Sequence, residues 1–348
     1  MFRNLIALLF CSACLAQIAP TYAERLGWKK TDRVLILHMD DAGMSYDSDL
    51  GIERVLERGA AKSLSVMMPT PWVPDIVHYL KAHPGTDAGL HMTLTSEWRD
   101  YRWGPVAGVL AVPGLVDSEG ALWASVPDVV RHAMPDEVER EMRAQIDRAE
   151  HMGFHPTHLD SHMGTVFALP SFLEKYVDLG IERHIPVMMP AGHDSYIEAD
   201  RQQALAAQLK KEGRYRPGMA LPEDPLLTEV RAMGEKLWRA GLPVLDDLHN
   251  TSYDWKIPPG IANDDAKLRR WRTGRYMETL KELKPGLTMV IMHCTAPTPV
   301  FSHITDSGPL RKADMLAMLD PEFQAFLKQQ GFIVTTWREA YERRKRVR

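Results

Sequence analysis

The chain has 348 residues, 45% of them hydrophobic and 25% charged, with a formal net charge of −4. These proportions exclude a fibrous repeat and a disordered chain, and the absence of any basic stripe excludes an electrostatic nucleic-acid-binding surface. The length suits either two average domains or one large α/β barrel, so the order of elements has to decide.

The first expected element is an export signal. Arg3 gives a positive start, Leu5 to Ala16 is apolar, and small residues lead to Thr21-Tyr22-Ala23. This pattern predicts a signal peptide over residues 1–23, cleaved after Ala23, and a periplasmic or secreted protein. The apolar run falls short of the ~20 residues that span a bilayer, so no permanent membrane anchor is expected. Cys11 and Cys14 leave with the signal, which leaves Cys294 without a partner for an internal disulfide.

Beyond residue 30, short apolar β-prone runs alternate with longer amphipathic stretches. Strands are expected at 34–39, 63–68, 88–94, 157–160, 186–188, 243–246, 288–293 and 332–335. Helices are expected at 48–58, 74–82, 136–152, 170–179, 199–211, 227–240, 266–283 and 312–330, the last broken near Pro321. Near-continuous apolar strands are those of a parallel sheet buried on both faces. The alternation therefore predicts an α/β fold over residues 24–348: a single-domain (β/α) barrel, TIM-like and irregular, with seven or eight strands. Long insertions are expected at 95–125 and 190–194, the first long enough to form a lid or binding surface.

The residues that carry chemistry collect where strands end, which in such barrels is the catalytic face. Asp40 and Asp41 follow the first strand, and His91 lies late in the third. His158, Asp160 and His162 end the fourth, Asp246, Asp247 and His249 the sixth, and His293 the seventh. Strand alternation would point Asp40 and Asp41 to different sides, one to a metal and one to a water; an acidic helix-capping turn is the alternative. The i, i+2, i+4 trio of His158, Asp160 and His162 would be costly to bury without a metal or a hydrogen-bond network, and its donors suit zinc.

Asp40-Asp41 with Gly43, Gly89-Leu90-His91, and Thr157-His158-Leu159-Asp160-Ser161-His162 together resemble the YdjC-like carbohydrate deacetylases, which include chitooligosaccharide deacetylases. The resemblance covers nearly the whole chain after the signal. It implies a barrel related to the polysaccharide deacetylases, with a divalent ion, Zn²⁺ or Mg²⁺, held by Asp41, His91 and His162. It further implies Asp40 as general base and His293 as general acid in hydrolysis of an acetyl group, N-acetyl before O-acetyl, on an oligo- or polysaccharide. The chain departs from the family pattern at His38 and Ala42, where asparagine and phenylalanine are usual, and at Met163-Gly164-Thr165, where further histidines are usual.

Substrate contacts are expected from Asp160, placed to orient an imidazole or touch the sugar, and from Trp98, Tyr101 and Trp103 in the first insertion. Asp247 and His249 are expected to line the opposite wall, a second acidic site with Asp246 being the alternative. His158 is assigned only to packing or to support behind the ligands. Three other readings remain on the residues alone: a metal-dependent amidase or esterase on a non-carbohydrate substrate, a ferrous oxygenase, and a non-catalytic carbohydrate-binding barrel. The second aspartate beside the metal-type trio argues against the last two.

Overall fold

Apolar β-branched runs form the expected parallel strands in the computed structural model, which describes residues 19–222 and 224–347. Most of the expected signal segment, residues 1–18, lies outside the described residues. The strands are β1 (Arg33–Ala42), β2 (Ser63–Val66), β3 (Asp87–Met92), β4 (Leu159–Ser161), β5 (Asp247–His249), β6 (Gly286–Met292) and β7 (Ile333–Val334). They lie in the order β4-β3-β2-β1-β6-β5, with β7 paired to the start of β1. Every residue of β6 is buried, and so is every residue of β1 except Arg33, which is why neither strand alternates in polarity.

Parallel bridges from Leu159 to Val187 and from Pro190 to Leu245 carry the sheet from β4 round towards β5. The sheet thus curls into an irregular (β/α) barrel of one domain, surrounded by helices. Helix Pro135–His151 shows how a helix is held: Val138, Met142, Ile146 and Ala149 recur at helical spacing and are buried against the sheet. The expected break at Pro321 is a stop and a restart. Asp320 caps the second helix, and Pro321 occupies its first turn, where no N–H is needed. No helix among the described residues is long and apolar enough to cross a membrane.

The main shift from expectation concerns the sixth strand. Residues 243–246 make only a bridge, and the ladder with β6 begins at Asp247, so Asp247 opens a strand instead of following one. The cause is the carboxylate of buried Asp246, which accepts hydrogen bonds from the backbone of Tyr22, Ala23 and Leu287 at 2.7–2.9 Å. The run 186–188 likewise contributes a bridge, at Val187, without becoming a strand, and helices Val126–His132 and Trp337–Arg346 add to the expected set.

Candidate active site

The site starts from an irregularity at the end of β1. His38 and Met39 face Ser63 and Leu64 of β2, but Val66 faces Ala42, so β1 carries one extra residue between Met39 and Ala42. Asp41 takes up the bulge in the left-handed region, at φ 66°. Such a conformation in a non-glycine residue costs about 1–3 kcal/mol and is tolerated where the surroundings hold it. The bulge cancels the alternation expected from the sequence. Both carboxylates turn to the same imidazole, with Asp40 Oδ2 at 3.7 Å and Asp41 Oδ1 at 3.4 Å from His91 Nε2.

His91 on β3 stands opposite Asp160 on β4, and their register lets Asp160 Oδ1 accept from Nδ1 at 2.7 Å. That bond fixes the tautomer and leaves Nε2 as the free donor atom. His162, just past β4, is held in the same way by a different carboxylate. Its Nε2 donates to Glu97 at 3.1 Å, and its Nδ1 lies 3.5 Å from Asp41 Oδ1. Arg311 donates to Asp41 Oδ2 at 2.6 Å, which leaves Oδ1 buried and without a hydrogen bond. One ligand atom each from Asp41, His91 and His162 therefore gathers within 4.8 Å. Two imidazole nitrogens and one carboxylate oxygen fit a divalent ion such as zinc with a coordination position to spare. An orphaned carboxylate oxygen inside the cluster points the same way.

The charges agree with this division of labour. Burial opposes ionisation of Asp41, but Arg311, His162 and His293 outweigh it and hold the carboxyl well below the usual range. Asp40 lacks such a cation: burial pushes its carboxyl up, and Asp160 adds to the effect against the pull of His91 and His38. Burial works against the His162 imidazolium, yet Glu97 and Asp41 push its pKa up to about 10. His293 is driven the other way, to about 3, by burial and then by Arg311. Its Nε2 lies 3.9 Å from Asp41 Oδ2, its ring meets Tyr253 edge-on at 4.9 Å, and its backbone N–H donates to Asp314.

A supporting layer lies beneath. His38 Nε2 sits 2.9 Å from Asp160 Oδ2 and 3.3 Å from Asp40 Oδ1, while Nδ1 meets the Ser63 hydroxyl at 2.8 Å. His38 thus ties the Asp40 carboxylate to the one that orients His91. His158 stacks on Trp337 and meets His38 edge-on. A Cβ at Gly89 would fall 2.5 Å from its ring, so only glycine lets β3 pass over it. Although His38, His158 and Asp160 also satisfy the distances of a metal-binding trio, His38 and Asp160 already pair with each other.

Of the sequence-derived site residues, Asp40, Asp41, His91, Asp160, His162 and His293 come together. Asp160 does so as the clamp on His91, buried away from solvent. Trp98 stands at the edge, its ring 5.9 Å from the Arg311 guanidinium. Tyr101 donates its hydroxyl to Met44, and Trp103 is buried with its indole N–H on Thr95, so these two hold the insertion together. Asp247 and His249 are not brought to the cluster. The Asp247 carboxylate accepts from the backbone of Tyr196 and Leu248, and the His249 ring packs against Tyr196 and Trp255. Sequence reasoning missed Glu97, Arg311 and the linking role of His38. Glu97 had a weak signal, a lone acid beside Trp98 in the insertion, whereas Arg311 lies 270 positions from its partner and had none.

Fold and site together define a (β/α) barrel with an Asp–His–His cradle and a second aspartate at the ends of its strands. The chain belongs to the YdjC-like protein family, which it matches over residues 34–329. A carbohydrate deacetylase of Thermus thermophilus is 30% identical over 92% of this chain and 97% of its own. A carbohydrate deacetylase of Brevibacillus brevis is 34% identical over 45% of this chain and 59% of its own. Among solved structures, a protein of Enterococcus faecalis V583, provisionally described as a cellobiose-phosphate cleavage protein, superposes with a TM-score of 0.66. It covers 88% of this chain and 98% of its own at 17% identity, a likeness of fold.

Proposed function

We propose that this protein is a metal-dependent carbohydrate deacetylase that hydrolyses an acetyl group, most simply an N-acetyl, from an oligo- or polysaccharide. The observation that carries the reading is the convergence of Asp41, His91 and His162 on one point beside a second carboxylate, Asp40. The family relationship supports the substrate class, through relatives named carbohydrate deacetylases.

Asp41, His91 and His162 would hold the ion. A divalent ion bound there supplies Lewis acidity towards the acetyl carbonyl and an attacking water. Glu97 and Asp160 keep the two imidazoles in the ligating tautomer, and Arg311 fixes the far oxygen of Asp41. Asp40, whose carboxyl burial makes more basic than usual, takes the proton of the water, a step worth ~10²–10⁴-fold in rate. His293, neutral at rest, donates a hydrogen bond from its ring to the departing nitrogen and keeps its proton. Asp40 hands that nitrogen the proton it took from the water, so acetate and amine leave in balance. Trp98, partly buried beside Arg311, is the aromatic face placed to meet a sugar ring. Export to the periplasm or medium belongs to the same reading, on the strength of the N-terminal pattern alone.

Acetate release from a panel of N- and O-acetylated oligosaccharides, with and without chelator, tests the proposal. Chelator-sensitive release from any of them is expected. Metal-loaded protein inert on the whole panel would point instead to an acyl group on a non-carbohydrate substrate.

A further inference from the structure

The residues just before the expected cleavage point are built into the barrel. Thr21 caps a short helix, Tyr22–Arg25: its hydroxyl accepts from Glu24 N at 3.1 Å while its own N–H donates to the Glu24 carboxylate at 2.9 Å. The next two backbone N–H groups, of Tyr22 and Ala23, donate to the two oxygens of Asp246 at 2.7 and 2.9 Å. Asp246 is fully buried, and among the described residues its further donor is the N–H of Leu287, at the head of β6. Tyr22 is 4% exposed and Ala23 0%. The Tyr22 hydroxyl donates to Glu235 at 2.9 Å, its ring lies 5.6 Å from Trp238, and Arg25 covers the same indole at 4.1 Å.

Cleavage after Ala23 would remove the cap, a buried tyrosine and two of the N–H groups that compensate Asp246. A buried carboxylate stripped of its donors is among the more damaging changes a fold can suffer. A segment that solves this problem with a capping box, two main-chain bonds and an aromatic contact belongs to the working protein.

We propose that the exported protein retains Thr21–Ala23 and that the bond hydrolysed in processing is Ala16–Gln17. Hydrolysis by the host's signal peptidase leaves the carboxylate on Ala16 and the new amine on Gln17. Cys14 and Ala16 place small residues at the two positions such an enzyme reads. Ala19 is the other upstream candidate, but the residue after it is Pro20, whose nitrogen has no N–H and whose φ is fixed. The inference rests on export and is independent of the acyl chemistry.

The full chain, expressed in a Gram-negative host and recovered from the periplasm or medium, is to be weighed by intact mass spectrometry. The expected species begins at Gln17. A species beginning at Glu24 or later, or a chain left uncut, would overturn the proposal; a start at Pro20 would overturn the choice of bond. Two recombinant chains, begun at Gln17 and at Glu24, supply a readout that does not depend on export. The shorter is expected to melt at least ~5 °C lower. Equal melting temperatures would show that the segment is dispensable and would remove the argument for its retention.

Discussion

Replacing Glu97 by glutamine keeps the shape of the side chain and removes the charge behind His162. The bond it alters is 3.1 Å long and largely enclosed, so screening by solvent is weak. A hydrogen bond to a charged group is worth ~1.5–3 kcal/mol against ~1 kcal/mol for a neutral one. The difference corresponds to roughly tenfold in metal affinity, at the lower end of what loss of such outer partners typically costs. A second effect has the opposite sign. Without metal, Glu97 and Asp41 hold the His162 pKa at about 10, so at pH 8 the ion must displace a proton to bind. Glu97→Gln lowers that pKa and eases the competition. Zinc titration by calorimetry, in buffers of differing ionisation enthalpy, separates the two. The variant should release fewer protons per ion at pH 8, by up to about one. Corrected for that release, its affinity should be about tenfold weaker. An unchanged proton count would refute the account of how His162 is held.

Four further outcomes follow from the same geometry. Asp40→Asn should lower kcat by ~10²–10⁴-fold while metal content stays at the native level, as measured by elemental analysis; a fully active variant would remove Asp40 as the base. Asp160→Asn weakens the clamp on His91 and should reduce metal affinity by ~10–100-fold, and unchanged affinity would assign Asp160 to packing alone. Asp314→Ala leaves the fully buried Arg272 guanidinium without its carboxylate, which accepts at 2.7 Å, and also frees the Tyr276 hydroxyl. Urea unfolding should show a loss of about 3–5 kcal/mol, and a loss below ~1 kcal/mol would contradict the pairing. In metal-free protein, the raised His162 pKa contributes stability that is fully present below its ordinary 6.5 and lost as pH rises through about 10. The melting temperature of chelated protein should therefore fall across that window, and Glu97→Gln should flatten the fall.

The barrel was legible because its information is local. Two-sided burial writes parallel strands as apolar runs, and the helices between them repeat at helical spacing, so each element could be found without its neighbours. The short helix Val126–His132 escaped because it is only seven residues long, follows directly on a long insertion and buries a single residue, Val129. Asp247 was misplaced because strand β5 starts where Asp246 anchors Tyr22 and Ala23, and no pattern near residue 246 announces a partner more than two hundred positions away. The chemical residues were legible where several share one strand end, as with His158, Asp160 and His162. The bulge that turns Asp40 and Asp41 to the same side was not legible, because it depends on a register shift against β2. Arg311 and Glu97 become site residues only through tertiary proximity, and their charges decide how the ligands are held.

The proposed acetyl hydrolysis requires an ion held by Asp41, His91 and His162. The most direct measurement is the rate of acetate release from an acetylated oligosaccharide as zinc is added back to chelated protein. The rate should be negligible without metal, rise in proportion to zinc, and level off at about one equivalent per chain, as a single three-ligand site requires. Acetate release by the metal-free protein at the full rate would contradict the account, and so would a zinc-saturated protein that releases none.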